Sequence, residues 1–397
     1  MRILIVADNY YPNVNGSSYF TQRLAYYLKK RGHEILVMSA SKTLRHEPYR
    51  HNEIDVFGIR SYPLSFVYQD FRFALPIGIK GAIEREIKRF RPDVIHIQDH
   101  FVIAPVVLKI AKKLSIPIMG TNHFMPENLL HYLHLPKPLR KMAKNWMWGE
   151  FRKVFEQLFV VTTPTATAAG LLKEVKLTKP VLAVSNGIDL TRFKTSNNGD
   201  YLKKRYNLPD KPILLYVGRL DKEKNLNVIL QALPSVLAKT NMHFVVAGKG
   251  AQSKHLKDLV VALNIEKSVS FIGFVPDEDL PNLYLIADCF IIAGIAELQS
   301  LVTMEAMASG LPVVAVNAMA LPELVRHGEN GYLFEIGEIS KLADLLIEIF
   351  SNPEQRKHMG QRSQEIIQAH DIDKTMEIFE SIYHQIIATN AIHHKQS

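Results

Sequence analysis

Two glutamates lie in a stretch of small and apolar residues, AELQSLVTMEAMASGLPVVA, at positions 296–315. Glu297 and Glu305 follow an apolar run, CFIIAG, that predicts a buried strand, and the segment then predicts a helix that Ser300 caps and Gly310 ends. The amino end of a helix favours an anion, and carboxylates accept paired hydrogen bonds from vicinal hydroxyl groups. The pattern therefore predicts a phosphosugar site; the alternative is a capping Glu297 and an arginine-paired Glu305.

A cationic loop, YVGRLDKEKN at 216–225, supplies charges of the opposite sign. Gly218 ends a predicted strand, and Arg219 and Lys224 follow it, five residues apart. A guanidinium fork and an ammonium point charge together suit a diphosphate. The alternative is a solvated charged loop.

Two further glycine loops follow predicted strands. One is AGKG at 247–250, with Gly248, and the other is DNYYPNVNGS at 8–17, with Gly16. A glycine lets the backbone approach a phosphate or sugar closely. No GxGxxG motif accompanies Gly16, so an ordinary turn is the alternative there.

Val- and Ile-rich runs alternate with amphipathic segments along the whole chain, which indicates an α/β protein with doubly wound parallel sheets. The alternation of apolar runs and amphipathic segments begins again near residue 200, after a polar segment. Two domains are therefore expected at this length. We place a first domain at 1–186 and a second domain at 187–365. In open parallel sheets ligands bind at the carboxyl ends of strands, and we expect two such domains to face each other across a cleft.

The chain of 397 residues carries a net charge of +9, and this charge is unevenly distributed. Residues 1–190 hold 27 Lys+Arg against 15 Asp+Glu, whereas residues 191–397 hold 21 against 24. Such asymmetry suggests an anionic partner for the first half; the alternative is solubility alone. The single cysteine indicates a reducing compartment, and neither a signal peptide nor a membrane span is predicted. We therefore expect a cytoplasmic protein, either free or on the membrane surface.

The segment 136–158, PKPLRKMAKNWMWGEFRKVFEQL, predicts an amphipathic helix with one apolar face. Its basic face suits an anionic lipid surface, with a tryptophan at headgroup level. The alternative is that this tryptophan packs on another part of the protein. The predicted membrane or acceptor face consists of Arg140, Lys141, Lys144, Trp148 and Arg152.

The acidic and cationic motifs together resemble those of the retaining glycosyltransferases of family 4. The resemblance rests on ELQSLVTMEAMASGLPVVA, GRLDKEKN and SNGID, and it extends from YYPNVNGSSYFTQRLAYYLKKRGHEILV through RPDVIHIQ, GTNHF, FIGFVP and LPELVRHGENGYLF. It implies the GT-B fold of two Rossmann-like domains and sugar transfer from a nucleotide diphosphate sugar. It also implies that the domain at 1–186 binds the acceptor, that the domain at 187–365 binds the donor, and that the helices of about 366–397 pack back on the first domain. One departure is Leu298-Gln299-Ser300, where many members have Gly-Phe-Gly.

The resemblance also implies roles for individual residues. Arg219 and Lys224 correspond to the pair that neutralises the donor diphosphate, Glu297 to the glutamate that faces the donor sugar, and Glu305 to the one that binds the ribose. His123 of GTNHF is similar to the histidine beside the anomeric centre. The implied catalytic residues are thus His123, Arg219, Lys224 and Glu297. The implied donor-binding residues are Gly16, Gly218, Gly248, Gly273, Phe274, Leu298, Gln299, Ser300, Leu301 and Glu305.

The resemblance implies a metal-independent enzyme that needs no cofactor, with a UDP-sugar favoured over a GDP-sugar as donor. A pair of histidines, His131 and His134, has metal-ligand spacing but no accompanying carboxylate, so no metal is expected. The favoured acceptor is a membrane lipid such as diacylglycerol, and the alternative is a soluble small molecule or a growing glycan. A nucleotide-sugar epimerase is a less favoured alternative. Nucleic acid is not expected as a partner, because the chain lacks a recognisable nucleic-acid-binding module.

Overall fold

A computed structural model describes residues 1–11, 16–63, 72–126, 130, 136–194 and 199–396. The chain forms two compact units. The first unit comprises Met1–Asn186 and Asp373–Ser397, and the second comprises Gly187–Ile372. None of the helices in the described ranges is long and apolar enough to cross a membrane.

The first unit is built on an eight-stranded sheet with the order β10-β9-β8-β7-β1-β2-β4-β3. All pairings are parallel except that of β3 with β4. A separate antiparallel pair consists of β5 and β6. The strands are β1 (Arg2–Val6), β2 (Glu34–Ala40), β3 (Glu47–His51), β4 (Ile54–Ile59), β5 (Ser61–Pro63), β6 (Arg72–Ala74), β7 (Val94–Ile97), β8 (Ile118–Thr121), β9 (Val161–Thr163) and β10 (Val181–Ala183).

Continuous apolar runs form the central strands of this sheet. Every residue of β7 and β8 is buried, as a parallel sheet covered on both faces requires. Amphipathic helices connect the strands, and those on one face of the sheet pack their apolar residues into one core. The helices are α1 (Gly16–Lys30), α2 (Lys80–Phe90), α3 (Ile103–Lys113), α4 (Lys137–Phe155) and α5 (Ala166–Glu174).

The second unit has a six-stranded, fully parallel sheet with the order β13-β12-β11-β14-β15-β16. This is the strand order of a doubly wound dinucleotide-binding fold, in which the winding direction reverses between the first and fourth strands. The strands are β11 (Ile213–Val217), β12 (His243–Ala247), β13 (Val269–Gly273), β14 (Cys289–Ile292), β15 (Val313–Val316) and β16 (Gly331–Phe334). The two parallel sheets confirm the predicted α/β class.

The helices of the second unit are α6 (Asp200–Arg205), α7 (Leu226–Leu237), α8 (Ser253–Ala262), α9 (Leu280–Leu285), α10 (Leu301–Ala308), α11 (Ile339–Ser351) and α12 (Pro353–Ile367). A last helix, α13 (Ile372–Gln396), packs with the first unit from Asp373 onward. On α13, Phe379 and Tyr383 are fully buried.

A charged contact holds α13 against the first unit. Arg31 donates two hydrogen bonds to Glu380, of 3.0 and 2.9 Å, and His33 Nε2 lies 2.8 Å from the same carboxylate. The hydrogen bond from Arg31 lowers the pKa of Glu380, and burial opposes the shift only in part. The ionised carboxylate is therefore the form that the folded protein favours.

We expect Glu380→Gln to lower the free energy of unfolding by about 2 kcal/mol at pH 7, because a charge-assisted pair is lost. Because the folded pKa of Glu380 is depressed, its contribution is fully present above the unfolded value of about 4.3. It is lost as the pH falls through the lower folded value, so the stabilities of wild type and variant should converge toward the acidic end of the range. Urea unfolding across pH 3–8 measures this. Glu377→Gln is the matched control, since Glu377 lies 4.0 Å from Arg31 and is 66% exposed.

Candidate active site

The carboxyl ends of β11 and β14 lie side by side at the switch point of the second sheet, because Leu214 pairs with Cys289 and Leu215 with Phe290. Gly218 directly follows β11, and the loop after β14 carries Glu297 and leads into α10. Both predicted motifs, the acidic segment and the cationic loop, therefore reach the same point of one sheet edge.

Three of the predicted glycines end neighbouring strands. Gly218 donates a backbone hydrogen bond to Ala247 and Gly248 donates one to Gly273, at 3.0 and 2.7 Å. A Cβ atom on Gly248, which has a φ of 141°, would lie 1.8 Å from the carbonyl oxygen of Gly218. No side chain fits there, so a glycine is required for the two loops to approach each other. Phe274, which follows Gly273, is 55% exposed.

Arg219 is held by carboxylates of its own loop. Its Nη1 forms an ion pair with Asp221, and its Nη2 lies 3.2 Å from Glu223. Arg219 remains 33% exposed, whereas the two carboxylates are nearly buried. The guanidinium is thus oriented at the carboxyl end of β11 with part of its surface open.

Lys224 and Glu297 form an ion pair of 2.5 Å between the cationic loop and the acidic segment. Their side chains are 17% and 15% exposed. Asn225 holds the two loops together, because its Nδ2 donates to the carbonyl oxygen of Ala293 at 3.1 Å. Ile295 also donates its backbone N–H to the carbonyl of Glu223, at 3.2 Å. A lysine predicted to bind phosphate therefore contacts the glutamate predicted to bind sugar.

The amino end of α10 is capped by Ser300, whose Oγ accepts a hydrogen bond from the backbone N–H of Thr303. Leu298, Gln299 and Ser300 are all at most 8% exposed. The three residues that stand where many family members have Gly-Phe-Gly thus pack inward. Because Ser300 caps the helix, Glu297 is not needed as the cap and pairs with Lys224 instead.

Glu305 lies on α10 and accepts a hydrogen bond of 2.9 Å from Tyr284 Oη. Tyr284 is fully buried, and burial together with the charge of Glu305 raises the pKa of its phenol well above the usual value. The phenol therefore keeps its proton and acts as a donor. Arg192, which pairs with Asp277 at 3.0 Å, attracts Glu305 electrostatically. The structure thus gives Glu305 a tyrosine partner together with a nearby arginine.

His123 belongs to the first unit, in the loop that follows β8. Its Nε2 lies 3.1 Å from Gln98 Oε1, and its ring centroid lies 4.7 Å from that of Phe20. Burial lowers the pKa of His123 to about 3. The imidazole is therefore neutral at physiological pH. Gly16 is the exposed first residue of α1 in the same unit.

Two family models together match nearly the whole chain. One, Glycosyltransferase Family 4, matches residues 14–192, and the other, Glycosyl transferases group 1, matches residues 200–366. The chain belongs to the family 4 glycosyltransferases. This confirms the predicted family and, with the fold, identifies the enzyme class as glycosyltransferase.

Individual relatives resemble the glycosyltransferase over most of its length. It is 29% identical over 364 residues to the alpha-monoglucosyldiacylglycerol synthase of Streptococcus pneumoniae, covering 90% of this chain and 80% of that protein. It is 26% identical to the N-acetyl-alpha-D-glucosaminyl L-malate synthase of Bacillus anthracis, with coverage of 95% and 96%. The structure of Anabaena HepE in complex with UDP-glucose matches with a TM-score of 0.72 at 19% identity, covering 98% of this chain and 99% of that one. This structural likeness confirms the GT-B fold.

The structure corrects one part of the predicted basic face. Trp148 is only 6% exposed and packs edge-on against Phe124 and Phe151, with centroid distances of 5.6 and 5.4 Å. It belongs to the core because its position on α4 faces these aromatic rings. Trp146, two residues earlier, is 67% exposed instead. The cations that accompany Trp148 in the prediction, Arg140, Lys141, Lys144 and Arg152, are exposed or half-buried.

Within the described part of the glycosyltransferase, no three His, Cys, Asp or Glu side chains gather as a group that could hold a metal ion. His131 and His134 lie outside the described residues.

Sequence reasoning missed residues that contact the predicted site residues, among them Asp221, Asn225 and Tyr284 in the second unit and Gln98 in the first. Asp221 and Asn225 stand inside the cationic loop, and Gln98 directly follows a predicted strand, so their positions at strand ends were a usable signal. Tyr284 gave no such signal, because it is a buried aromatic residue of α9 like many others.

Proposed function

We propose that this glycosyltransferase transfers a hexose, with retention of anomeric configuration, from a nucleotide diphosphate sugar to a hydroxyl group of a membrane lipid such as diacylglycerol. The observation that carries the proposal is the ion pair of Lys224 with Glu297 beside the amino end of α10. Because these two side chains are in contact, we propose that Lys224 binds the phosphate and Glu297 binds the hydroxyl groups of one sugar phosphate. In the proposal, Glu305 on α10 binds the ribose hydroxyls.

In the proposed reaction, a bond forms between the acceptor oxygen and the anomeric carbon on the face from which the diphosphate departs. The acceptor proton passes to an oxygen of that departing diphosphate. The protein must then stabilise the negative charge that grows on the leaving group. Arg219, Lys224 and the N–H groups that begin α10 are suited to this without a metal ion or cofactor. One preorganised donor of this kind is worth about 3 kcal/mol.

A UDP-sugar is the proposed donor, supported by the fold that this chain shares with a protein solved in complex with UDP-glucose. The lipid acceptor is supported by the similarity to a glucosyldiacylglycerol synthase. A soluble acceptor is the alternative, since a second relative is an N-acetyl-alpha-D-glucosaminyl L-malate synthase by its name. Assays with diacylglycerol in micelles and with soluble hydroxy acids decide between these acceptors.

Thermal denaturation in the presence of nucleotides tests the donor. A ligand at 100 times its Kd stabilises the folded protein by about 2.7 kcal/mol, which raises Tm by about 5–11 °C in a domain of this size. We expect UDP and UDP-sugars to produce such a shift, and GDP-sugars to produce a smaller one. The shift should disappear in Lys224→Ala and persist in Lys222→Ala, an exposed lysine of the same loop. The absence of a shift with every nucleotide would refute the proposed function.

We further propose that α4 docks the protein on an anionic membrane surface, on the cytoplasmic side. Leu139, Met142 and Trp146 recur at helical spacing and are 46%, 67% and 67% exposed. We call these three residues the exposed apolar patch. Arg140 and Lys141 are exposed on the same helix, and each cation near an anionic surface adds about 1 kcal/mol.

Replacing Met142 and Trp146 together by serine should weaken binding to anionic vesicles about 100-fold, because each apolar side chain contributes about 1.5 kcal/mol when it is buried. Sedimentation with phosphatidylglycerol vesicles measures the binding, and zwitterionic vesicles should bind weakly in both cases. The control is Ile378→Ser, which removes a 46% exposed apolar side chain from α13. Equal binding of the double variant and the wild type would exclude this surface.

A further inference from the structure

The side chain of Gln98 contacts the ring of His123 from the neighbouring strand end. Gln98 directly follows β7, is 2% exposed, and places its Oε1 3.1 Å from His123 Nε2. The strands β7 and β8 pair in parallel, with Ile97 opposite Gly120. Both residues therefore stand at the same edge of the first sheet.

The backbone fixes both partners. Gln98 donates its N–H to the carbonyl of Val6 on β1, at 2.8 Å. Asn122, which precedes His123, donates its N–H to Thr162 at 2.8 Å and accepts a hydrogen bond from the N–H of Phe124 at 2.9 Å. The hydrogen bond between the two side chains thus joins two rigid strand ends.

The face of the imidazole is also held. The ring of Phe20 lies against His123, and Phe379 of α13 lies 6.0 Å from Phe20 and 5.4 Å from the ring of His96. His96 is itself held between Tyr383 Oη and Thr121 Oγ1, at 2.8 and 2.6 Å. Phe20, whose ring lies against the imidazole, is thus part of a packed core. This packing restricts rotation of the His123 ring.

The chemistry of the contact determines where the ring proton lies. A neutral imidazole has one N–H donor and one nitrogen acceptor, and an amide oxygen only accepts. With Gln98 Oε1 facing it, His123 carries its proton on Nε2 and keeps the lone pair of Nδ1. Gln98 Nε2, on the other side of the amide, is buried and has no hydrogen-bond partner among the described residues.

We propose that Gln98 is the positioning residue of His123: its amide oxygen keeps the ring proton on Nε2, so that Nδ1 accepts a hydrogen bond from a substrate hydroxyl. This inference rests on the proposed function and on the family resemblance, which implies that His123 acts beside the anomeric centre. It assigns His123 the role of a neutral hydrogen-bond acceptor that orients the sugar. Holding a reacting group in one orientation is a recognised source of rate enhancement.

The test is the tautomer of His123 in the free protein, read from the ring ¹⁵N chemical shifts of histidine-labelled full-length enzyme at pH 8. His123→Ala assigns the signals. We expect a protonated Nε2 and an unprotonated Nδ1 in the wild type and in Gln98→Glu, which keeps an oxygen acceptor. In Gln98→Leu the shifts should move toward a mixture of tautomers. The matched control is Gln22→Leu, which removes another Gln–His contact, of 3.0 Å to His51, and should leave the His123 signals unchanged.

Activity gives the second readout. Gln98→Leu should lower kcat about 10- to 100-fold with little change in the KM of the donor, and Gln98→Glu should recover part of that loss. A proton on Nδ1 in the wild type, or unchanged His123 signals in Gln98→Leu, overturns the proposal. If Gln98→Leu does not fold, the wild-type tautomer alone still decides. The spectra need no substrate, so they report the tautomer of His123 even if no sugar transfer is found. A failure of this inference can therefore be distinguished from a failure of the proposed function.

Discussion

Replacing Arg219 by alanine is expected to lower kcat/KM for sugar transfer about 100- to 1,000-fold. In the proposed reaction, the charge that develops on the departing diphosphate needs a preorganised cation, and removing one such donor from an enzyme typically has an effect of this size. Arg219 is preorganised here because Asp221 and Glu223 hold its guanidinium while it remains 33% exposed. Initial rates measured against donor concentration give the comparison.

Two further variants sharpen this test. Arg219→Lys keeps the charge but loses the planar fork, so we expect a smaller loss of about tenfold. Arg205→Ala removes an arginine that also pairs with a carboxylate, Asp279, but lies on α6 outside the loop. It should leave kcat/KM unchanged. Activity of Arg219→Ala within threefold of the wild type would mean that the diphosphate is bound elsewhere.

Glu305→Gln is expected to lower kcat/KM for the donor about 30- to 100-fold, mainly through a higher KM. A carboxylate that accepts hydrogen bonds from both ribose hydroxyls contributes about 2–3 kcal/mol, because hydrogen bonds to a charged group are the stronger ones. The hydrogen bond from Tyr284 at 2.9 Å keeps the carboxylate in place. Donor kinetics and calorimetric titration with the nucleoside diphosphate both measure the loss.

The second unit offers a matched control for this variant. Glu348 also accepts a hydrogen bond from a tyrosine, Tyr332, so Glu348→Gln repeats the chemical change away from the site and should not alter donor binding. A donor with 2′-deoxyribose adds a double-mutant cycle. If Glu305 binds the ribose, the penalty of Glu305→Gln should shrink with that donor. An equal penalty for both donors would instead assign Glu305 a structural role.

The sequence pattern of helix α4 does not decide which of its two tryptophans is buried. Trp146 and Trp148 are two residues apart, so they point to nearly opposite sides of a helix, and the sequence around them is basic and aromatic on both sides. Only the positions of Phe124 and Phe151 decide that Trp148 is buried and Trp146 is exposed. The predicted lipid-binding helix therefore stays a prediction, with Trp146 in place of Trp148.

The sequence by itself determined the fold class and the strand ends that carry the candidate site residues. Buried parallel strands need continuous apolar runs, and glycines must follow strands whose loops approach closely, as at Gly218 and Gly248. These are local requirements, so they are visible in the order of residues. The resemblance to the family added the expected roles of Glu297 and Glu305.

Only the tertiary structure decided which side chains meet. Lys224 and Glu297 are 73 residues apart in the chain, and Arg31 and Glu380 are 349 apart. Gln98 reaches His123 because two strands that are separated in sequence pair in one sheet. Such contacts depend on strand order and on helix packing, which sum over many weak interactions along the whole chain, and no local pattern encodes them.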